Sequence, residues 1–488
     1  MMRSFEDDPL TRAILPPLNE SPEARHARER AEAEAKNISD EIDEQIRRER
    51  ESDRRKKKPV KLLLLGQSES GKTATLKNFQ LTYGHKEWAQ ERSAWKMVIF
   101  FNLVRNVNTI MDILAREMSN SAHATDSDES SDEARFGNSP LAFKEKHRLL
   151  KLRLGPLRRI QTDLERRLGS SAVEPVSTSV YTAAPFGNST RSDGGTLRHE
   201  FYINSNNGWK SALDKVKVTM RPGRADIASD SLRKIRGVDD EISEVIAGCR
   251  DDMKAIWEDT TIRKMLTVTK TKMEESPGFF LNDVERIAVN DYEPTDDDII
   301  RARLRTLGVQ EYRITFDHGR SVGQEWRLYD VGGTRSCRAA WYPYFEDVHA
   351  IIFLAPISCF DEKLAEDRRI NRLEDSYLLW RSVCSCQLLA RTQLILFLNK
   401  TDLLEKKLMG GVRVRDHVPS FGDRNNDLPS AARYFQAHFR DILKQHSPIQ
   451  RPFIVHLTSV IDTRATAVTL AAVEESVLRH NLRRADLM

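Results

Sequence analysis

The chain has 488 residues, and its 77 Lys and Arg residues nearly balance its 73 Asp and Glu residues, which leaves a formal net charge of +4 at pH 7. This balance favours neither a dedicated nucleic-acid binder nor a uniformly acidic surface, so we expect no nucleic-acid partner. The length favours roughly three domains of ordinary size. The five cysteines lack the spacing of a zinc site or a secreted disulfide framework, which indicates reduced thiols in a cytoplasmic protein.

The N-terminal residues 1–58 are predicted to form a charged arm. Residues 1–20 are polar and contain prolines, which is typical of disorder, whereas residues 21–55 are mainly Glu, Arg, Ala and Lys and favour a solvated helix. The isoleucines at positions 38, 42 and 46 fall on one face of that helix. The helix therefore either lies across a partner or stays free in solvent.

Membrane attachment has little direct support in the sequence. The chain begins without an apolar signal core, and no apolar run approaches the roughly 18 residues that a membrane span requires. The basic run 54–58 either contacts anionic lipid or is a solvated tail, and without a lipid anchor we favour the tail. We therefore expect a soluble protein that is at most peripheral to a membrane.

A phosphate-binding motif follows the arm. It reads Gly66-Gln-Ser-Glu69-Ser70-Gly71-Lys72-Thr73, which matches G-x-x-x-x-G-K-[ST], the P-loop pattern. The four leucines at 62–65 precede it and favour a buried strand, so the motif stands in a strand-to-helix context. Gly66 and Gly71 allow the backbone to approach a triphosphate, Lys72 can reach its outer phosphates, and the Thr73 hydroxyl can ligate Mg²⁺. The alternative, a simple glycine turn, explains fewer of these positions.

Residues 86–294 are predicted to form an inserted, all-helical domain. Apolar residues recur at helical spacing, and strand signals are missing. Two interruptions near 119–140 and 169–199 are rich in Ser, Asp, Gly or Pro and favour loops or disorder. After the P-loop helix, Ala74 to Tyr83, the predicted helical stretches are 96–118, 143–168 and 238–257.

Residues 59–85 and 295–488 are predicted to form an α/β domain. Short apolar runs at 326–330, 350–354, 392–398 and 452–457 each precede a helical pattern, which predicts a doubly wound parallel sheet. Ligands of such sheets bind at the carboxyl ends of the strands. A helix over 465–488 closes the chain, with Val468, Ala472, Val473, Val477, Leu478 and Leu482 on its apolar face.

Two polar loops follow these strands. In the first, the Asp330 carboxylate can reach the shell of a bound Mg²⁺ and the Gly333 backbone can approach a γ-phosphate. The second is Asn399-Lys400-Thr-Asp402, in which Asp402 can accept hydrogen bonds from N1–H and the N2 amine of guanine. Adenine offers no such pair of donors, so the combination favours a guanine nucleotide.

On these motifs the chain resembles the alpha subunits of heterotrimeric G proteins, outside the two interruptions and a third at about 410–430. The segments Phe279-Phe-Leu-Asn-Asp-Val-Glu-Arg-Ile287 and Asp298-Ile-Ile-Arg301-Ala-Arg303-Leu-Arg-Thr306-Leu-Gly308 add to the resemblance. It implies a Ras-like P-loop GTPase domain with an inserted helical domain, and GDP or GTP between them. It further implies an arginine finger at Arg303 and Mg²⁺ held by Thr73 and Thr306. The nucleotide contacts implied are Gly66, Glu69, Ser70, Gly71, Lys72, Thr73, Ser276, Arg301, Arg303, Thr306, Asp330, Gly333, Asn399, Lys400, Asp402 and Val460.

Hydrolysis is expected to depend on Arg303 and Thr334. A guanidinium on the linker that returns from the helical domain can neutralise charge on a transferred phosphoryl group, although an ordinary ion pair with a surface carboxylate is the alternative. Thr334 stands where the family has glutamine after D-V-G-G. A threonine hydroxyl reaches less far toward an attacking water than a carboxamide does, so we expect slow hydrolysis.

Other positions depart from the family pattern. The segment after Thr334 lacks an acidic residue and two lysines common in relatives, which places its usual partner contacts in doubt. Val460 is bulkier than the usual residue beside the base, so the affinity is expected to be lower. Position 2 is not glycine and no cysteine precedes Cys249, so the family's lipid anchors have no acceptor here.

The sequence therefore predicts a receptor-coupled, Mg²⁺-dependent GTP-binding switch. The resemblance implies a beta-gamma dimer, a receptor that contacts the C-terminal tail, an effector, and a peripheral position at the inner face of the plasma membrane through these partners. A degenerate scaffold that holds one nucleotide permanently is the alternative. An ATP-using P-loop kinase is disfavoured by Asp402.

Overall fold

The computed structural model describes residues 21–55, 59–124, 143–168, 240–304 except 270, 275 and 277, 309–364 and 367–484. The described residues divide into two compact units, one up to residue 59 and one from residue 60 onward. The first unit contains helix α1, Pro22–Arg55, where the sequence predicts a solvated helix. Ion pairs one turn apart, such as Arg25 with Glu29, lie along it, and Ile38, Ile42 and Ile46 are exposed. Such pairs stabilise an isolated helix only modestly.

The second unit contains a helical part and an α/β part. The helices of the helical part are α3 (His85–Ala124), α4 (Glu145–Arg153), α5 (Pro156–Arg167), helical residues 240–248, α6 (Arg250–Glu258), α7 (Thr260–Val268), α8 (Val284–Ile287) and α9 (Asp296–Arg301). The helices of the α/β part are α2 (Lys72–Tyr83), α10 (Arg372–Ser385), α11 (Thr401–Met409), α12 (Val414–His417), α13 (Leu428–His446) and α14 (Thr463–Arg484). Its strands are β1 (Val60–Gly66), β2 (Val309–Thr315), β3 (Glu325–Val331), β4 (Ala350–Pro356), β5 (Gln393–Asn399) and β6 (Ile454–Thr458).

The six strands form one sheet in the order β2-β3-β1-β4-β5-β6. All neighbouring pairs are parallel except β2 and β3, which are antiparallel. The predicted doubly wound arrangement is confirmed, and the strands named from the sequence are parallel, but the prediction missed the antiparallel edge strand β2. Strand β2 alternates buried and exposed residues because one of its faces is open to solvent, so it lacks the continuous apolar run used to find the other strands.

The central strand β1 explains the run of leucines. Leu62 and Leu64 pack with α2 and α14 on one side of the sheet, whereas Leu63 and Leu65 pack with α10, α11 and α13 on the other. Successive side chains of a strand point to opposite faces, so a strand covered on both sides must be apolar at every position. Burial on both faces fixes the end of β1, where the P-loop begins.

The helical part has its own apolar core around α3. This helix begins at His85 and ends at Ala124, so the predicted stretch 96–118 is too short at both ends. Trp88 and Trp95 are buried in the added first turns, where charged residues weaken the apolar periodicity. The predicted helix 143–168 is divided near Gly155, with Pro156 starting α5. The insert near 169–199 and most of that near 119–140 lie outside the described residues, but 119–124 are helical rather than loop.

Helix α3 contains a segment that could cross a membrane by length and composition. This segment covers residues 85–120, contrary to the expectation from the sequence. However, 78% of the apolar window is buried inside the protein. This burial is what the central helix of a packed core requires.

The C-terminal helix α14 buries a narrower face than predicted. Leu470, Val473 and Val477 are fully buried against the sheet, whereas Val468 is 74% exposed and Ala472 is also exposed. The prediction placed both of the latter on the apolar face, and it missed Leu470. A broad apolar stripe does not define which residues meet the sheet, because the docking angle of the helix selects among them.

This difference predicts unequal stability effects within α14. We expect Val477→Ala to lower the free energy of unfolding by roughly 2 kcal/mol, because it removes buried methyl groups and leaves a cavity. Val468→Ala should change it by no more than about 0.5 kcal/mol, since exposed substitutions rarely do more. Urea titrations of both variants measure the difference, and equal losses would contradict the assigned face.

Candidate functional site

A cavity of about 570 Å³ lies where the P-loop, the carboxyl ends of β3 and β5, the loop after β6 and the residues around α9 converge. Its lining draws on both the α/β part and the helical part of the chain. The predicted site residues that line it are Glu69, Ser70, Gly71, Lys72, Thr73, Ser276, Arg301, Arg303, Asp330, Gly333, Thr334, Asn399, Lys400, Asp402 and Val460. Gly66 lies just behind the lining at the end of β1, and Thr306 lies outside the described residues.

The P-loop backbone adopts conformations that require glycine at two positions. Gly66 has φ of 145° and Gly71 has φ of 103°. A Cβ at Gly66 would lie 2.4 Å from the Leu354 carbonyl oxygen, and one at Gly71 would lie 2.4 Å from Asn399 Nδ2. Glu69 also has a positive φ, of 62°. Larger residues at the two glycines would therefore clash with neighbouring strands, and the loop is held in a tight bend that leads directly into α2.

Lys72 is buried beneath this bend. Its Nζ donates to the carbonyl oxygens of Gly66 and Gln67, at 3.0 and 2.6 Å. Burial lowers the pKa of Lys72 to about 8, although the nearby Asp330 carboxylate acts in the opposite direction. A buried ammonium with so little negative charge around it is stabilised by an anion. The position of Lys72 therefore favours phosphate in the cavity.

Oxygen ligands for a hard cation lie next to the lysine. Thr73 Oγ1 donates to Asp330 Oδ2 at 2.6 Å, and Asp330 is fully buried at the end of β3. A hydroxyl and a carboxylate at this separation suit Mg²⁺, which prefers oxygen ligands and retains several waters. The residues present thus fit a magnesium ion bound together with a phosphate.

The opposite end of the cavity is built by the loop after β5. Asn399 Nδ2 donates to the Ser70 carbonyl oxygen at 2.8 Å, and Asn399 Oδ1 accepts from Val460 N–H at 3.3 Å. This buried amide thereby joins the P-loop to the loops after β5 and β6. Lys400 has φ of 64°, which turns the chain into α11, and Asp402 lies in the first turn of that helix. Burial also lowers the pKa of the Lys400 ammonium.

Arg303 approaches the P-loop from the helical part. Its Nη2 lies 2.6 Å from Glu69 Oε1. The Arg303 N–H donates to Asn102 Oδ1 at 2.6 Å, and Asn102 Nδ2 donates to the Arg303 carbonyl oxygen at 3.0 Å. Burial acts to raise the pKa of Glu69, but Arg303 and two further cations outweigh it and leave that pKa below its ordinary value. The partner of Arg303 is therefore a carboxylate of the cavity wall rather than of the outer surface.

Two other predicted residues have local partners. Arg301 Nη2 lies 2.5 Å from Asp283 Oδ2 and donates to the Phe279 carbonyl oxygen at 3.2 Å. Ser276 Oγ donates to the Lys272 carbonyl oxygen at 3.2 Å. Both residues line the cavity, but these contacts stabilise its wall.

Thr334 begins the segment that follows β3. Its Oγ1 lies 3.2 Å from Ser336 Oγ, just before a 3₁₀ helix over Arg335–Tyr344. A Cβ at Gly333 would lie 2.3 Å from the Gln67 carbonyl carbon, so only glycine allows this contact with the P-loop. Trp341 in this helix and Phe345 directly after it are fully buried, whereas Tyr342 is 44% exposed. Of these aromatic residues, Tyr342 is the one accessible to a partner.

One buried cluster at the site was missed by the sequence analysis. Gln67 Nε2 donates to Asp375 Oδ2 at 2.6 Å, and Arg338 Nη2 lies 2.5 Å from the same oxygen. Asp375, on α10, is almost fully buried. Gln67 occupies an unspecified position of the P-loop pattern, so the motif gave no signal for it. The cluster joins the P-loop to the segment after Thr334.

Together the fold and this cavity define a Ras-like P-loop GTPase domain with an inserted helical domain. The family model described as "G-protein alpha subunit" matches residues 36–477. The chain therefore belongs to the G-protein alpha subunit family, whose members are GTPases.

Individual relatives agree with this assignment. A protein of Mycosarcoma maydis named "Guanine nucleotide-binding protein alpha-4 subunit" is 32% identical, over 99% of this chain and 96% of its own length. A "Guanine nucleotide-binding protein subunit alpha" of Candida albicans is 27% identical over 93% and 95%. A "Guanine nucleotide-binding protein alpha-16 subunit" of Caenorhabditis elegans is 32% identical over 56% and 74%.

The segment that leads to Arg303 is held by a buried carboxylate. Asp298 accepts two hydrogen bonds from Arg286, both at 2.7 Å, and one from Tyr292 Oη at 2.9 Å. Burial acts to raise the pKa of Asp298, but Arg286, the Thr295 N–H and Tyr292 together lower it from 3.8 to about 2. A depressed pKa stabilises the fold above pH 4, and this contribution is lost as the pH falls toward 2.

We therefore expect the stability difference between the wild type and Asp298→Asn to depend on pH. It should be larger by about 2 kcal/mol at pH 6 than at pH 2, since each pKa unit corresponds to about 1.4 kcal/mol. Urea unfolding of both proteins at both pH values gives the difference. The neighbouring Asp297→Asn removes an exposed carboxylate of the same helix and is the matched control, which should lose less stability at pH 6 than Asp298→Asn does. A constant difference for Asp298→Asn would contradict the assigned role.

Proposed function

We propose that this G-protein alpha subunit is a Mg²⁺-dependent GTP-binding switch whose intrinsic hydrolysis is slow. The observation that carries the proposal is that Lys72 and Asp402 line one cavity together with Thr73 and Asp330. One ligand that has a triphosphate, a metal ion and a guanine base would satisfy all four side chains.

The phosphate end of the cavity would hold the anionic part of the ligand. Gly66, Ser70 and Gly71 shape the backbone bend, and Lys72 would exchange its two carbonyl partners for phosphate oxygens. Thr73 and Asp330 would hold Mg²⁺ together with Thr306, which lies outside the described residues. When bound, this ion would neutralise charge on the outer phosphates. The Gly333 backbone would then lie beside the γ-phosphate.

The base end would provide the selectivity for guanine. Asp402 accepts hydrogen bonds, and guanine presents two adjacent donors whereas adenine does not. The aliphatic part of Lys400 and the side chain of Val460 would lie against the base, while Asn399 holds the three loops in place. Ser276 and Arg301 would border the ligand from the helical part.

Arg303 would act on the reaction itself. It would leave Glu69 and donate to the γ-phosphate, where a guanidinium stabilises the charge that develops during phosphoryl transfer; G-protein alpha subunits are themselves the standard example of this effect. The Thr334 side chain is short, and its Oγ1 lies 3.2 Å from Ser336 Oγ. Thr334 is therefore poorly suited to orient an attacking water. The GTP-bound state would therefore be long-lived unless a partner supplies the missing group.

The partners proposed are a beta-gamma dimer, a receptor and an effector. Family membership supports such partnership in general. The exposed isoleucines of α1 offer an apolar strip for the beta-gamma dimer, and the end of α14 would approach the receptor. The last residues, 485–488, lie outside those described. Through these partners the protein would lie at the inner face of the plasma membrane.

Titration calorimetry tests the nucleotide assignment. In the presence of Mg²⁺ we expect GDP and GTP to bind and ATP not to compete. Asp402→Asn should weaken GDP binding on the order of a hundredfold, because two hydrogen bonds to a carboxylate are weakened or lost. The exposed Glu405→Gln on the same helix is the control and should bind normally. Failure of the wild type to bind either guanine nucleotide would refute the proposal.

Single-turnover hydrolysis of preloaded GTP tests the role of Thr334. We expect Thr334→Gln to accelerate hydrolysis on the order of a hundredfold, since a carboxamide can position the attacking water. Thr334→Val, which keeps the shape but lacks the hydroxyl, should bring no gain. If the glutamine variant is no faster, the explanation for slow hydrolysis is wrong. A wild type that binds nucleotide but neither exchanges nor hydrolyses it would support the scaffold alternative.

A further inference from the structure

Three potential metal ligands converge on the protein surface outside the nucleotide cavity. His85 Nδ1 lies 2.9 Å from Asp317 Oδ2, and His318 Nδ1 lies 2.7 Å from Asp317 Oδ1. The ligating atoms of the three side chains all lie within 4.8 Å of one another. None of these residues has a role in the switch proposed above. We propose that His85, Asp317 and His318 bind a divalent transition-metal ion of the Zn²⁺ and Co²⁺ type.

The backbone around these ligands is held in place. The Asp317 N–H donates to the Tyr83 carbonyl oxygen at 3.0 Å, and the His85 N–H donates to Asp317 Oδ2 at 3.1 Å. The Tyr83 ring stacks on Phe316, with centroids 4.1 Å apart, and also on His318, at 5.3 Å. Because Tyr83 and Phe316 are buried, the backbone segments that carry the three ligands are held close to each other.

The donor set selects the class of metal. Two imidazole nitrogens and one carboxylate oxygen suit borderline ions such as Zn²⁺ and Co²⁺, whereas Mg²⁺ and Ca²⁺ prefer oxygen alone. Ligand atoms bound to one tetrahedral ion are about 3.3 Å apart, given metal–ligand bonds of about 2.0 Å. Two of the observed separations are 2.7 and 2.9 Å, and all three ligating atoms lie within 4.8 Å of one another, so rotation of the exposed side chains can bring them to that spacing.

The exposure of the site leaves room for the ion. The side chains of His85 and His318 are 59% and 50% exposed, and that of Asp317 is 29% exposed. A metal ion could therefore enter from solvent and complete its coordination with water. Without metal, the same groups form two exposed hydrogen-bonded pairs, which contribute little to stability.

The location gives the site a mechanical consequence. His85 is the first residue of α3, the central helix of the helical part, whereas Asp317 and His318 belong to the hairpin between β2 and β3. A bound ion would add a coordinate link between the start of that helix and the edge of the sheet. Binding should therefore raise the melting temperature, because it stabilises only the folded state.

Cobalt absorption provides a direct test. The full chain, in excess Mg²⁺ to fill oxygen-only sites, is titrated with Co²⁺, and visible d–d bands report binding. We expect one equivalent of Co²⁺ to bind and Zn²⁺ to displace it. The double variant His85→Ala with His318→Ala should lose at least about tenfold in affinity, together with the metal-dependent rise in melting temperature. His26→Ala is the matched control, because among the described residues this exposed imidazole is paired with a single carboxylate, Glu29 at 3.8 Å.

Each outcome of the titration either supports or overturns the assignment of the metal ion to His85, Asp317 and His318. Both histidines are about half exposed, so the double variant should remain folded, and melting without metal checks this. Absence of Co²⁺ binding to the wild type would overturn the proposal. Undiminished binding to the folded double variant would also overturn it, as would a thiolate-to-cobalt charge-transfer band, which would place the ion at cysteines. None of these results depends on nucleotide binding.

Discussion

The buried ammonium of Lys72 is the constraint on which the site depends. It lies under a backbone bend, with two carbonyl oxygens as its hydrogen-bond partners, and its pKa is lowered to about 8. Such a position is unfavourable for a charge unless an anion completes its surroundings. The bend persists because β1 is covered on both faces and because Gly66 and Gly71 fit against β4 and Asn399. The contacts that stabilise the sheet therefore also hold the bend that would bind phosphate.

Contacts around the bend extend its influence beyond the phosphates. Asn399 hydrogen-bonds to the P-loop and to the loop after β6, so the two ends of the cavity are mechanically joined. Gln67 shares Asp375 with Arg338 of the 3₁₀ helix. Any shift of the P-loop that accompanies nucleotide exchange would disturb this buried cluster, because a carboxylate in a dry environment tolerates the loss of its donors poorly. The structure therefore supplies a direct connection from the P-loop to the segment after Thr334.

The sequence was sufficient to predict which residues line the cavity where a motif fixes their spacing. The P-loop, Asp330 and the Asn399-to-Asp402 loop all line the cavity, since each motif requires particular atoms at particular intervals. The sequence was insufficient to predict the bounds and buried faces of elements that depend on tertiary contacts. Strand β2 has one solvent face and no continuous apolar run, the first turns of α3 are charged, and the docking of α14 leaves Val468 exposed. Gln67 and Asp375 act through a long-range contact that has no local signature.

The helical part positions the backbone of Arg303 as well as lining the cavity. The backbone N–H and carbonyl oxygen of Arg303 are both hydrogen-bonded to one side chain, that of Asn102 on α3. Gly278 packs so closely against these two residues that a side chain at position 278 would clash with them. The preceding helix, α9, is held by the buried Asp298. Because α3 forms the centre of the helical core, movement of that core would carry Arg303 with it. The backbone of Arg303 is therefore positioned by the packing of the inserted helices, which sets the point from which the guanidinium reaches the P-loop.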